Sequence, residues 1–297
     1  MPKVFQLGYV ELGVGDIEAT SAHYTNVLGM SVVEAGNGNT AYLSLGQDHH
    51  NIALVASAQR GVRLIGMQLT PGVTPKDLQT ELSDLGLRST VKTDARPGVA
   101  ELLEVEAPGN SIVQLYTEMT MPNPGFEKSG VAPLKLGHTT FANREAAKVL
   151  KFYTEALGFY TTDWYGDMIT FLSCNQDHHV VSYVNAPMDK LHHIAFELRD
   201  NTQHFVIADQ MMKKDVAVEW GPSRHPQGHN IAAYHYDPDR MLIEFYTEMD
   251  QYVPAVNQFQ PRPWHDRSPL VPKDWAVFGP PKASQWGTEF AFFLPKA

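Results

Sequence analysis

The sequence predicts an α+β chain: four βαβββ modules, paired into two tandem domains. Two observations predict it. The first is an internal duplication. Leu7-Gly8-Tyr9 returns as Leu136-Gly137-His138, and Tyr24-Thr25-Asn26-Val27-Leu28-Gly29-Met30 as Tyr153-Thr154-Glu155-Ala156-Leu157-Gly158-Phe159. Gln47-Asp48-His49-His50 returns as Gln176-Asp177-His178-His179, and all three pairs are 129 residues apart. Tyr116-Thr117-Glu118-Met119 returns as Tyr246-Thr247-Glu248-Met249, 130 residues on. A constant offset with one inserted residue marks a repeat at the scale of a domain. The second observation is the rhythm inside each half, where an apolar strand, a helix and three short strands follow one another twice.

Each half opens on an apolar strand, near 6–12 or 134–141, and continues into a helix near 16–28 or 144–157. Over the second of these helices the apolar residues Ala146, Val149, Leu150, Tyr153, Ala156 and Leu157 recur at helical spacing, with Asn143 as N-cap and Gly158 as C-cap. Strands rich in Val, Ile, Thr and Tyr follow. In the second half a further module runs through a strand at 191–198, a helix at 201–213 and strands at 216–220, 230–236 and 241–247. The Pro- and Gly-rich stretch 121–133 reads as a linker. The expected organisation is therefore an N-terminal domain over 1–120, a linker over 121–133, a C-terminal domain over 134–250 and an irregular, Pro-rich tail over 251–297 that packs over one domain.

The 297 residues are ample for two cores. With 23 basic and 33 acidic residues the net charge is −10 and no basic stripe is visible, which argues against a nucleic-acid partner. Cys174 is the only cysteine, so no intramolecular disulfide forms, and a reducing cytoplasm is expected. The N-terminus lacks a signal-peptide layout, and no apolar run approaches the ~20 residues of a membrane span.

The duplication supplies an internal control for the chemistry. His138, His193 and Glu244 lie in strand-like runs of the second half; their counterparts in the first are Tyr9, Leu64 and Gln114. Two imidazoles and a carboxylate are the facial ligand set of a non-haem Fe(II) site. Tyr, Leu and Gln make no divalent site. Any one of the three alone reads as a satisfied core histidine or an edge carboxylate. All three at matched strand positions, absent from the sister half, read as a metal site in one half and a metal-free half beside it. Strand alternation turns His192 to the face opposite His193.

A duplicated βαβββ chain with this set resembles the type I extradiol ring-cleaving dioxygenases of the vicinal oxygen chelate superfamily (the glyoxalase/dioxygenase-like fold), over about residues 5–250. The separations of 55 residues from His138 to His193 and 51 from His193 to Glu244 are similar to the family's, as is the string Leu191-His192-His193-Ile194-Ala195-Phe196. The resemblance implies an oxidoreductase that cleaves the ring of a catechol, substituted or bicyclic, with O2 in aromatic catabolism. It implies Fe(II), with Mn(II) as the alternative ion, a small-molecule substrate, no membrane partner and a homo-oligomer. It also implies three catalytic residues: His178, 15 residues before the second ligand, as acid–base group, and His225 and Tyr234, 19 and 10 residues before Glu244, bonded to the catechol oxygens. Gln-Asp-His-His also stands at 47–50, where no metal site is expected, so a turn-forming role is the other reading of His178. Asp237-Pro238-Asp239-Arg240 departs from the family signature: Arg240 stands where Gly or Pro is usual, and has to accept the geometry of that turn. Alternative functions are a glyoxalase-type isomerase, whose acid–base group is a carboxylate, a 2-oxo-acid-dependent dioxygenase with a longer chain and a gating helix, and a non-catalytic binding protein.

Overall fold

The computed structural model describes residues 1–36, 38–121 and 131–289. Most of the expected linker, 122–130, lies outside the described residues. The first sheet is built from β1 (Val4–Val14), β2 (Ser31–Gly36), β3 (Thr40–Ser44), β4 (Ile52–Ala56), β5 (Gly61–Leu69), β6 (Ser89–Arg96), β7 (Val99–Ala107) and β8 (Ser111–Tyr116). Helices α1 (Ile17–Asn26) and α2 (Pro75–Asp84) follow the first strand of each module. The second sheet holds β9 (Lys135–Asn143), β10 (Tyr160–Tyr165), β11 (Ile169–Ser173), β12 (Val181–Asn185), β13 (Lys190–Glu197), β14 (Trp220–Arg224), β15 (Ile231–Tyr236) and β16 (Leu242–Thr247), with α3 (Ala146–Lys151) and α4 (Thr202–Met212). The strand orders are β2-β3-β4-β1-β5-β8-β7-β6 and β10-β11-β12-β9-β13-β16-β15-β14, the same topology twice. In each sheet the two modules meet at an antiparallel pair of their first strands, β1 with β5 and β9 with β13.

The repeated Leu-Gly motif has a packing reason. A Cβ on Gly137 would stand 1.9 Å from the Tyr246 hydroxyl, and one on Gly8 would stand 1.8 Å from that of Tyr116. The glycine of one motif and the tyrosine of the other are thus a single contact, made once per half.

Three local expectations are corrected. Asn143 ends β9 rather than capping α3; its Oδ1 accepts from the Glu145 amide at 2.8 Å, and Glu145 holds the N-cap position. The helix keeps its ordinary winding only to Lys151 and finishes as a π-turn over Phe152–Ala156, before Gly158 at φ 75°. The strand expected at 216–220 begins four residues later, because the chain leaves α4 through Asp215 at φ 55° and a bond from the Val216 amide to the Met211 carbonyl. Among its described residues the tail after Asp250 makes only a two-residue strand pair, Tyr252–Val253 with Gln258–Phe259, and short 3-10 turns. It packs on the second sheet, where Asp274 bridges to Trp164. No helix among the described residues is long and apolar enough to cross a membrane.

Candidate metal centre and active site

Four strands set the centre in a single row. His138 on β9 faces Ala195 on β13, Ala195 faces Glu244 on β16, and Glu244 faces Tyr234 on β15. Residues in register project to the same face of a sheet, so this row turns His138, Glu244 and Tyr234 inward together. Ala195, the smallest of the four, leaves the middle open. His193 stands two residues before Ala195 on the same face, opposite Thr140.

The donor atoms converge. His138 Nε2 lies 3.2 Å and His193 Nε2 3.0 Å from Glu244 Oε2, and the two nitrogens are 3.3 Å apart. All three side chains are buried. Ligand atoms about 2.0–2.2 Å from a first-row ion stand about 3 Å apart on one face, so this triangle fits such an ion. Burial alone would raise the Glu244 carboxyl, but the two imidazoles hold it well below the usual carboxylate range. Burial pushes His138 down against the pull of Glu244, so its nitrogen offers a lone pair. The remaining nitrogen of His193 is oriented by His192, Nδ1 to Nδ1, at 2.7 Å.

A second His–Asp–His cluster, His229, Asp250 and His265, is built differently. His229 Nδ1 sits 2.6 Å from Asp250 Oδ2, while His265 Nε2 sits 2.8 Å from Oδ1. The Trp264 indole donates to the same Oδ1 at 3.2 Å. Two donors on opposite oxygens of one carboxylate make a hydrogen-bonded clamp that ties the tail to the end of β16. In the first cluster, by contrast, both imidazole nitrogens stand beside one carboxylate oxygen.

Around the triangle lies a cavity with an apolar wall of Met168, Ile169, Phe171 and Val184. His225 and Tyr234 line it, with His225 Nε2 3.1 Å from Tyr234 Oη and Tyr234 Oη 2.7 Å from Glu244 Oε2. His225 Nδ1 meets the Ala283 carbonyl at 2.7 Å, and burial lowers this imidazole below its ordinary range. A carbonyl only accepts, so Nδ1 carries the proton and Nε2 the lone pair.

The expectation for His178 is corrected. His179 lines the cavity, with its ring centroid 4.2 Å from that of His138. His178 is fully buried behind it, Nδ1 to Nδ1 at 3.0 Å, with its Nε2 3.0 Å from Asp163 Oδ2. Both histidines lie in the segment between β11 and β12, where spacing along a strand says nothing about direction. His192 is corrected too. It lines the cavity, because a register shift between Leu191 and His193 breaks the alternation on which the opposite expectation rested.

The structure adds residues for which the sequence offers no signal. Asn230 Nδ2 donates to Glu244 Oε1 at 2.8 Å, Thr140 Oγ1 lies 3.1 Å from His193 Nε2, and the tail residues Pro281, Lys282 and Ala283 close one side of the cavity. Arg240 does take the strained turn, at φ 64°, with its guanidinium 3.9 Å over the Tyr236 ring.

The first sheet carries the same row with other residues: Tyr9, Gly66, Gln114 and Glu104. Here the Arg96 guanidinium takes up the cationic role. Its Nε donates to Gln114 Oε1 at 2.9 Å, its Nη2 pairs with Glu11 at 2.5 Å, and the group sits 4.5 Å over the Tyr9 ring. Tyr9 Oη also donates to Gln114 Oε1, at 2.6 Å. The twin site is filled by protein groups that satisfy one another.

The model of the Glyoxalase/Bleomycin resistance protein/Dioxygenase superfamily matches residues 6–73 and 135–245, one stretch in each half. The chain belongs to this superfamily. Among curated relatives, a metapyrocatechase of Pseudomonas sp. (strain CF600) is 24% identical over 255 residues, covering 79% of this chain and 83% of the relative. Among solved structures, the 2,3-dioxygenase LapB from Pseudomonas sp. KL28 is 26% identical with a TM-score of 0.79, covering 92% of this chain and 98% of that one. A Mn(II)-bound glyoxalase from Novosphingobium aromaticivorans, 23% identical with a TM-score of 0.78 over 99% of this chain and 98% of that one, shares the fold.

Proposed function

We propose that the chain is an extradiol dioxygenase that cleaves the aromatic ring of a catechol with O2, using Fe(II) held by His138, His193 and Glu244. The observation that carries the reading is the ring of proton-handling groups around the triangle. His179, His225 and Tyr234 all face one apolar-walled cavity together with the three donors. Three protein ligands on one face leave the opposite face open to substrate and O2. When bound there, the ion acidifies a chelated catechol hydroxyl and conducts electrons between ring and O2.

The chain's own residues supply the rest. The Met168, Ile169, Phe171 and Val184 wall packs the ring and excludes water. The lone pair on His225 Nε2, fixed there by the Ala283 carbonyl, accepts from a catechol hydroxyl. Tyr234 Oη, beside it, bonds the other substrate oxygen. Burial drives the phenol of Tyr234 well above its ordinary range, and the neighbouring Glu244 adds to this, so Tyr234 keeps its proton and acts as a donor. His179 takes the acid–base role, because it is the histidine of the 178–179 pair that reaches the cavity. Burial holds it well below the ordinary imidazole range, so it is neutral and able to hold or pass one proton.

Among the described cavity-lining residues Glu244 is the only carboxylate, and a bound ion would occupy it. That leaves no carboxylate base for a glyoxalase-type isomerisation. The test is to load metal-free protein anaerobically with Fe(II) or Mn(II), add a panel of monocyclic and bicyclic catechols, and admit air. A yellow ring-fission product with matching O2 uptake is expected, and the active ion identifies the cofactor. A metal-loaded protein that cleaves no catechol but isomerises a hemithioacetal would overturn the reading.

A further inference from the structure

We propose that Asp163 and His178 are positioning residues that fix which nitrogen of His179 carries its proton, and that the C-terminal tail completes this device. The inference rests on the reading of His179 as the acid–base group. The geometry is a file of three side chains, from Asp163 through His178 to His179 and the cavity, with contacts of 3.0 Å and 3.0 Å.

Proton bookkeeping along the file leaves one arrangement for a His178 that carries a single proton. Asp163 Oδ1 accepts from the Lys273 amide at 2.9 Å, and Oδ2 accepts from the Trp275 indole at 2.6 Å. Both partners only donate, and an ionised carboxylate only accepts, so His178 Nε2 is also a donor to Oδ2. With its one proton on Nε2, His178 presents a lone pair at Nδ1. That lone pair faces His179 Nδ1, which must carry the proton. His179 Nε2 is left with a lone pair for the cavity, which makes it a proton acceptor for the substrate. An Asp that holds a His in one tautomer is a known way to support acid–base catalysis, and loss of the tautomer costs orders of magnitude in rate.

The tail pins this file twice. Trp275 and Lys273 grip Asp163, and Phe259 stacks on the His178 ring at 5.4 Å between centroids. The sister half shows the file without the tail. Glu34, His49 and His50 occupy the matching positions, and the Nδ1–Nδ1 contact is kept at 3.1 Å. The acid contact there is loose, 3.8 Å, and the Glu34 side chain is 51% exposed, against 3% for Asp163. The His–His contact thus belongs to the fold, and the buried acid behind it belongs to the half with the metal ligands.

The test uses the full chain, histidine-labelled with 15N and loaded with diamagnetic Zn(II), so that NMR reads each tautomer. Wild type is expected to show His178 protonated on Nε2 and His179 on Nδ1. Asp163→Ala should move the His179 proton to Nε2, and Asp163→Glu should restore it. In the Fe(II) enzyme, Asp163→Ala should lower kcat at least 10-fold with KM and metal content within about threefold of wild type, and Asp163→Glu should recover most of the loss. A wild-type His179 protonated on Nε2 overturns the proposal, even if Asp163→Ala does not fold. So does an Asp163→Ala spectrum with His179 unchanged, or a loss confined to KM. The NMR readout does not depend on turnover. If the tautomers are as stated but no catechol is cleaved, it is the functional reading that fails.

Discussion

Glu244 is enclosed: the His138 and His193 nitrogens stand beside one oxygen, Tyr234 donates to that same oxygen and Asn230 to the other. A buried carboxylate keeps its charge only with such partners. His179 has a different standing, since it neighbours the triangle without joining it. His179→Gln should therefore retain a full complement of metal while turnover falls about 10²–10⁴-fold, the usual worth of a positioned acid–base group. Metal analysis alongside steady-state kinetics checks this, and loss of the ion would place His179 among the ligands. The sequence could single out the three converging donors because the duplication contrasts each with an inert twin. Spacing chose His178, whereas it is His179 that lines the cavity. Both copies of Gln-Asp-His-His look alike, and both lie between strands, where spacing carries no direction; Asp163 reaches His178 only through a register shift in β10 and contacts with the tail.

At the scale of elements, the row across four strands is the unit that has diverged. In the second sheet it reads His138, Ala195, Glu244, Tyr234; in the first it reads Tyr9, Gly66, Gln114, Glu104. Gly66 is needed there because the Tyr9 ring lies over it; a Cβ would come within 2.1 Å of that ring. The first-half row is held by Arg96, whose side chain is only 5% exposed. Arg96→Met should destabilise the protein by about 3 kcal/mol, since it strips the buried partner from Glu11 and Gln114, and should leave catechol cleavage intact in the fraction that remains folded. Urea melts and specific activity together test this. A change in activity without a change in stability would give the first half a direct part in the chemistry. The pattern of strands and helices was legible from periodicity. The late start of β14 and the π-turn after α3 were not, because both depend on how a helix end is closed rather than on which face is apolar.

Over the whole molecule the two halves meet through side chains that the sequence reading left without a role. His23 Nε2 lies 3.1 Å from His235 Nε2, Thr20 Oγ1 donates to Asp239 Oδ2 at 2.8 Å, and Arg60 pairs with Asp239 at 3.2 Å. The Asp237–Arg240 turn, an irregularity in the sequence, is thus a docking point for the first half. Burial pushes His23 down to about 4, and pushes His235 well below the ordinary imidazole range. A folded-state value below the unfolded one, about 6.5, means that protons bind the unfolded chain better. The stability from keeping His23 neutral is full above pH 6.5 and is lost as pH falls toward 4, at up to about 1.4 kcal/mol per pH unit for one proton. Denaturant melts from pH 7.5 to 4.5 should show this decline, and His23→Gln should flatten it; an equal slope in the variant would remove His23 from the account. The tail was legible as an irregular, Pro-rich segment packed over one domain; its contacts with Asp163, His225 and Asp250 were not, because they come from long-range packing.

The central claim is a single metal centre, in the second half only. The direct measurement is metal content per chain after Fe(II) or Zn(II) loading and exhaustive dialysis of wild type, His193→Ala, Glu244→Ala and Gln114→Ala. Wild type and Gln114→Ala should hold one ion per chain, and the two second-half variants none. Two ions per chain, or one retained when Glu244 is removed, would contradict the claim.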